Sequence, residues 1–513
     1  MSKKQVLKNL ISAWLSKGIK LITGLFIIPV FISELGVEGY GLIIVLTSIL
    51  SFTVLADFGI RASLVRYLIS SKVNKNFFEC NQFLNTAFAI YLLIFFCLAS
   101  IIYLLAPQLA DIMKVNKDLY SSFINLLRTF GIISIFISFM IPIFSAINAS
   151  NNRYDIVNYR QGIIGTFSSL VMLIGVKFFS IGINGWAVIS ISSSLIIAIS
   201  IAYEGFKQAP YLKIHPKFFD KKKISKILKF GGIVSIGGWS RMMKIEADPL
   251  IISSLTGMSD ASLYRSGVTL PSHTRPLISA FCGQLHPLTT ESHEKNDDKK
   301  THLLFEKGSS ITLLMGSIML FFFIFFSNDL INIWLGNVLP KKDIIQVVYC
   351  LKAMALVDFC FYIEGSSYSI LYAKNHLKFM TLTDLCLGIT NILSSFLLYK
   401  FSDFGVVSVI IPTIIIEGLA RPYYLFYTAK VIKYKTSLVW SKILKPSFKV
   451  ILIVILTSLL ISQLFNFFNF DFLLELIIKF FFFIFVSIFS IFFIGLDSLD
   501  RKTISNLITN FIK

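Results

Sequence analysis

Runs of about twenty mostly apolar residues recur along the whole 513-residue chain. Each matches the length an α-helix needs to cross a ~30 Å hydrocarbon core. Stretches such as "LLMGSIMLFFFIFF" and "FFFIFVSIFSIFFIGL" carry no helical stripe and are apolar on every side, which suits lipid-facing or packed spanning helices. Only 15% of residues are charged, where soluble domains run nearer a quarter. The predicted fold class is therefore all-α, a polytopic membrane protein of about 14 transmembrane helices. Fourteen spans are read at 9–33, 41–64, 82–106, 123–147, 159–178, 184–206, 228–256, 262–288, 305–327, 344–372, 378–399, 405–429, 446–465 and 473–496.

A net charge of +20 invites a nucleic-acid reading, but its distribution argues against one. With the N-terminus inside, the inner loops include "MSKKQVLK", "KQAPYLKIHPKFFDKKKISKILK" and "KVIKYKTSLVWSKILKPSFK"; the outer ones include "ELGVEGY" and "SIGIN". Roughly 30 Lys and Arg fall inside against about 5 outside, the bias that orients membrane proteins. Both termini are then cytoplasmic, and the basic excess marks topology and contact with anionic lipid. The basic-then-apolar start is interrupted by Lys17 and Lys20 and is followed by no small-residue cleavage site, so it reads as an uncleaved first helix. Six scattered cysteines without CxxC spacing read as small core residues.

No loop is long enough for a soluble domain. The longest cytoplasmic connection, 207–227, separates six spans from the rest, and its "KFFDKKKISKILKF" sets Ile224, Ile227 and Leu228 on one face among lysines, as in a short amphipathic interfacial helix. "IIPVFISELGVEGYG" is echoed by "DPLIISSLTGMSDASLYRSG": Pro29, Ser33 and Leu35 align with Pro249, Ser253 and Leu255. Cation pairs spaced i, i+3 precede both prolines, Lys17 with Lys20 and Arg241 with Lys244. Six spans per half give a parallel pseudo-repeat. The expected organisation is an N-lobe (1–206), a basic amphipathic linker (207–227), a C-lobe (228–430), and two extra C-terminal helices with a tail (431–513).

The cations inside the spans are the most informative residues. Lys17, Lys20, Arg61, Arg128, Arg241, Lys244, Arg265, Arg275, Lys352 and Arg421 lie deep or in groups. Each costs about 2.5–3.5 kcal/mol at a helix centre. Ten facing lipid would cost on the order of 30 kcal/mol, above an ordinary fold stability of about 5–15 kcal/mol. Most must face protein or a water-filled cavity. Lys17, Lys20 and Gly24 share one helix face; Gly237, Arg241, Lys244 and Asp248 share another; Arg265, Thr269, Ser272 and Arg275 line a third. If the two halves face a common axis, these stripes meet in a cationic chamber. Asp57 and Arg61, spaced i, i+4, either neutralise each other or leave the guanidinium for a ligand. Too few carboxylates are present to cancel the rest, so the chamber should attract an anion, and a guanidinium fork suits phosphate.

Enzymatic chemistry is not apparent. The six histidines have no metal-ligand spacing, there is no Walker A sequence, and no metal or cofactor is expected. "FGGIVSIGG" leads into a span, so its glycines read as helix packing.

"ELGVEGYGLIIVLTSILSFTVLADFGIRASLVRYL" resembles the N-terminal region of bacterial polysaccharide transporters, the O-antigen flippase-like branch of the multidrug/oligosaccharidyl-lipid/polysaccharide (MOP) exporter superfamily. The match lies in Leu35-Gly36, Tyr40-Gly41, Asp57-Phe58-Gly59 and Arg66. "ADPLIISSLTGMSDASLY" is similar to that family's seventh helix and following loop, with Thr256-Gly257 where the family often has Leu-Gly. The resemblance implies a flippase of the bacterial inner (cytoplasmic) membrane that moves an undecaprenyl-diphosphate-linked glycan, an O-antigen or related unit, by alternating access. Membrane lipids, a polysaccharide polymerase and chain-length machinery are the implied partners. The substrate would meet Lys17, Lys20, Arg61, Arg128, Arg241, Lys244, Arg265 and Arg275; Asp57, Asp248 and Glu364 are the places to look for ion coupling or charge pairing. The alternatives are a multidrug/cation antiporter of the same superfamily, which needs an acidic or apolar pocket, and a membrane glycosyltransferase, polymerase or ligase, which needs a larger catalytic loop.

Overall fold

The computed structural model describes residues 3–374, 376–402, 404–465, 472–495 and 501. The side chains of Lys17, Lys20, Arg241 and Lys244 lie outside the described residues. The regular secondary structure is helical, with no strand among the described residues. In order, its helices are α1 (Lys3–Phe52), α2 (Ile60–Val73), α3 (Phe77–Ile112), α4 (Lys117–Leu126), α5 (Ile132–Ser150), α6 (Tyr154–Phe179), α7 (Gly182–Gln208), α8 (Lys221–Thr256) and α9 (Met258–Ser272). There follow α10 (Arg275–Glu294), α11 (Asp298–Leu335), α12 (Lys341–Glu364), α13 (Ser367–Ala373), α14 (Leu377–Phe401), α15 (Ile410–Val431), α16 (Thr436–Leu438), α17 (Lys445–Phe465) and α18 (Phe472–Ser490).

Among the described residues, eleven segments are long and apolar enough to cross a membrane. They correspond to the expected spans 41–64 through 184–206 and 305–327 through 473–496. Of the other three, 9–33 falls largely on residues whose side chains are not described. The span 228–256 is part of α8, which carries Arg241, Lys244, Glu246 and Asp248 within eight residues. The span 262–288 is broken at His273–Thr274, between α9 and α10.

Two glycines account for the internal echo in backbone terms. α1 runs through two expected spans and breaks at Gly36 (φ 73°, ψ 167°). α8 ends at Gly257 (φ 113°, ψ −179°). Both lie in a region of backbone space essentially reserved for glycine. The alignment of Ser33 with Ser253 misses their equivalence by one residue, because it sets Gly36 opposite Thr256.

The helices form two compact units. One comprises residues 1–265 and 381–401. In it α1 packs on α6 and α8, α5 on α7, and α2 on α3, α5 and α8. α8, expected with the second lobe, thus packs here on α1, α2 and α3. The other comprises residues 266–380 and 402–513, where α11 packs on α12, α12 on α15, and α10 on α11 and α13. α17 and α18 pack on each other and on α11. Phe305, Leu313, Ile370 and Leu425 are in its buried core.

The segment 207–227 differs from the amphipathic linker helix expected of it. Residues 209–220 are not part of a long helix, with a turn at 210–211 and a short 3₁₀ turn at Pro216–Phe218, and the lysine-rich stretch forms the first turns of α8. Ile227 is buried and its carbonyl accepts from Ser63 Oγ on α2 at 2.7 Å. The cause is a set of side chains on α3. Asn81 Nδ2 donates to Tyr211 O (2.9 Å) while its Oδ1 accepts from Lys213 N (2.6 Å). Asn85 Nδ2 donates to Lys213 O (2.7 Å) and its Oδ1 accepts from His215 N (2.8 Å). Thr86 Oγ1 accepts from Asp220 N at 3.1 Å. One helical turn of 5.4 Å roughly matches two extended residues of ~3.3 Å each, so amides spaced i, i+4 can serve as a makeshift neighbouring strand.

Candidate functional site

The site is built at the break between α1 and α2. After Phe52 the chain tightens into a 3₁₀ turn (Thr53–Asp57), then takes two successive left-handed residues, Phe58 (φ 45°) and Gly59 (φ 66°), before α2 begins at Ile60. Gly59 is required there. Its φ disfavours any Cβ, and a Cβ would lie 2.1 Å from the carbonyl oxygen of Gly231 on α8. Gly231 faces the reciprocal limit, with Phe58 O 2.3 Å from its own ideal Cβ. Gly231, the first glycine of "FGGIVSIGG", therefore supplies the helix packing read from the sequence.

This break separates Asp57 from Arg61. The i, i+4 reading assumed one continuous helix, and the two left-handed residues abolish that spacing. The Asp57 carboxylate accepts from Tyr91 Oη on α3, from Gly59 N (3.1 Å) and from the backbone N–H of Arg61, and it also feels the Arg61 charge. Arg61 is exposed, and its guanidinium makes no hydrogen bond or ion pair with the described residues. It lines a cavity of about 560 Å³ within the first unit. The wall includes Val54, Leu55, Val65 and Met242, with Tyr154, Ser235 and Trp239 beside them and Asp57 at the break. Trp239 is steadied edge-on by Phe58, with ring centroids 5.7 Å apart. A guanidinium that faces a mostly apolar chamber attracts an anion more strongly as water is displaced, and here it also acts on the Asp57 carboxylate at the same cavity.

The other expected residues lie in different settings. Arg128 donates from Nε to Tyr103 O at 3.1 Å, and its guanidinium sits 4.6 Å from the Tyr103 ring centroid. Arg66 lies over Phe230 at 4.3 Å. Arg265 approaches Glu246 at 4.0 Å, and Glu246 also accepts from Ser48 Oγ at 3.2 Å. Asp248 is buried and accepts from Tyr264 Oη at 2.6 Å. In the second unit, Arg275 pairs with buried Asp358 and lies 4.6 Å from the centroid of Phe361. There too Glu364 and Glu417 both bind Arg421, whose Nε donates to Glu417 at 2.6 Å. The structure thus brings Arg61 and Asp57 to one cavity and places Arg128, Arg265, Arg275, Asp248 and Glu364 in contacts of their own. Lys17, Lys20, Arg241 and Lys244 have side chains outside the described residues. Among the described residues no group of three His, Cys, Asp or Glu side chains is placed to hold a metal ion.

Sequence reasoning passed over Tyr91, Trp239 and Tyr154. Trp239, two residues before Arg241, was the legible one; Tyr91 carries no local signal.

The geometry can be set beside known proteins. Residues 35–339 match the family model described as polysaccharide biosynthesis protein, 305 of 513 positions and hence more than half of the chain. No curated protein matches the sequence. A multidrug resistance MATE family transporter of the MOP superfamily, solved inward-facing, is similar with a TM-score of 0.70 at 12% identity, over 81% of this chain and 94% of that one. The lipid II flippase MurJ in an inward closed conformation is similar with a TM-score of 0.68 at 18% identity, over 94% and 97%. These likenesses establish the fold, and the family match covers both the Asp57–Arg61 break and the cavity face of α8. The chain therefore belongs to the polysaccharide biosynthesis protein family, as a multi-span, polysaccharide-transporter-like membrane protein with the fold of MOP-superfamily transporters.

Proposed function

We propose that the protein is a flippase that carries an undecaprenyl-diphosphate-linked oligosaccharide, an O-antigen or related surface-glycan unit, across the bacterial inner membrane. The observation that carries this reading is Arg61, whose guanidinium makes no ion pair among the described residues and lines an apolar-walled cavity. A phosphate offers the bidentate, doubly hydrogen-bonded complement to that group. Trp239 and Tyr154 give the same chamber aromatic surface beside the charge. Family membership supports a substrate of glycan biosynthesis, and the shared fold supports transport by alternating access. The remaining cations of the sequence stripes, Lys17, Lys20, Arg241 and Lys244, are proposed to add to the positive field the substrate meets. The Lys and Arg bias of the loops supports cytoplasmic termini.

A cation antiporter would need an available carboxylate in the cavity. Asp57 is the carboxylate that lines it, and Tyr91 and Gly59 already occupy its oxygens. The test is binding of a fluorescent polyprenyl diphosphate to the purified protein. Arg61→Gln should weaken it by about tenfold or more, the loss expected for a charge-assisted pair of roughly 1.5–3 kcal/mol. Unchanged binding in that variant would remove Arg61 from the substrate site.

A further inference from the structure

The strap 211–220, exposed except around Leu212, is held by the side chains of α3 at five backbone groups, as set out above. What it holds outward is a mixed surface. Ile214 and Phe219 are exposed, and so are Phe77 and Phe78 at the start of α3. Phe78 meets Phe218 edge-on at 5.7 Å, and Lys217 Nζ lies 5.2 Å from the Phe218 ring centroid. Lys213, Lys217, Lys221, Lys222 and Lys226 are exposed on the strap and the first turns of α8, and among the described residues none makes an ion pair. The two nearest acids are already engaged. Asp220 caps α8 by accepting from Lys222 N at 2.9 Å, and Glu79 binds Lys223 and accepts from Ser71 Oγ at 3.1 Å.

α3 shows where this surface lies. Its 36 residues span about 54 Å at 1.5 Å per residue, well beyond a ~30 Å hydrocarbon core. Leu93, Phe96 and Leu104 are exposed along its middle and far part, so its first turns extend past one edge of the apolar layer. Exposed rings with ammonium groups beside them at such an edge match the headgroup zone. There rings sit at the interface, and lysine stems run over apolar surface to reach phosphates.

We infer that the strap 211–220 and the first turns of α8 form a docking surface for anionic phospholipid, with Phe78 and Phe219 entering the interface and Lys213, Lys217 and Lys222 binding headgroup phosphates. The surface is separate from the Arg61 cavity and does not depend on what that cavity carries. The hydrogen bonds from α3 hold it in place.

The test uses the full-length protein in vesicles of phosphatidylcholine with a quarter phosphatidylglycerol. Phe219→Trp adds a reporter, read against the unsubstituted protein to remove the native tryptophans. The added emission should be quenched by brominated lipid. At equal mole fraction, brominated phosphatidylglycerol should quench as if enriched about fivefold, one lysine's worth of attraction. Adding Lys213→Gln, Lys217→Gln and Lys222→Gln should erase that preference while quenching by brominated phosphatidylcholine persists. Quenching by aqueous iodide but not by bromolipid would overturn the docking surface. So would equal quenching by both lipids, or a preference that survives the triple substitution. Loss of the preference on adding inorganic phosphate at constant ionic strength would make this a small-anion site instead.

Discussion

Substituting three glycines to alanine tests how the cavity is built. At Gly59, alanine meets two penalties: a left-handed φ of 66°, costing about 1–2 kcal/mol, and a Cβ 2.1 Å from Gly231 O. Overpacking of this kind costs about 1–3 kcal/mol, so Gly59→Ala should destabilise by about 2–5 kcal/mol. Gly231 has ordinary helical backbone, so Gly231→Ala meets the overlap alone, with Phe58 O 2.3 Å from the new atom. It also gains about 1 kcal/mol of helix propensity, leaving a net loss of up to about 2 kcal/mol. Gly232, the next residue of α8, has nothing within 4 Å of an added Cβ, and Gly232→Ala should be neutral or stabilising by up to about 1 kcal/mol. Thermal unfolding of the purified protein in one detergent should rank the melting temperatures Gly232→Ala at or above wild type, then Gly231→Ala, then Gly59→Ala. Because Arg61 follows Gly59 by two residues, the two lower variants should also bind polyprenyl diphosphate more weakly. A Gly231→Ala protein that melts and binds like Gly232→Ala would refute the backbone contact and with it the placement of Arg61.

Other side chains give separable outcomes. Tyr91→Phe removes a hydrogen bond to a carboxylate and should destabilise by about 1.5–3 kcal/mol, whereas Tyr91→Phe in an Asp57→Asn background should add less, as a double-mutant cycle on melting would show. Arg275→Ala leaves buried Asp358 unpaired and should cost about 3–5 kcal/mol, with much of the loss recovered when Asp358→Ala is added; equal loss in single and double variants would contradict the pair. Asn81→Ala with Asn85→Ala should raise backbone amide exchange at Lys213 and His215 by at least about tenfold, with α5 and α7 unaffected, since their hydrogen bonds come from those two side chains.

Much of the architecture was readable because its cause is local. Hydropathy over twenty residues reports a spanning helix whatever its neighbours do. The echo around Pro29 and Pro249 was visible for the same reason, though the register slipped by one at Gly36 and Gly257. The site was harder. A periodic reading assigns Asp57 and Arg61 to one face of a helix, but Phe58 and Gly59 turn the chain between them, and the glycine's partner is Gly231. The linker misled similarly. Ile224, Ile227 and Leu228 do form a helix, yet Ile227 is buried beside α2, and the strap ahead of it depends on asparagines about 130 residues away. Composition cannot say which of the cations deep in spans find partners: Arg275 finds Asp358, and Arg421 finds Glu364 and Glu417, while the Arg61 guanidinium makes no ion pair among the described residues.

The central claim is that Arg61 holds a phosphate during translocation, and transport in proteoliposomes addresses it most directly. A fluorescent undecaprenyl-diphosphate glycan would be loaded in one leaflet, with wild type, Arg61→Ala and Arg61→Lys reconstituted at matched amounts. The account predicts translocation by wild type, loss with Arg61→Ala, and weak activity with Arg61→Lys, which keeps the charge but not the bidentate fork. Translocation by Arg61→Ala at the wild-type rate would contradict it.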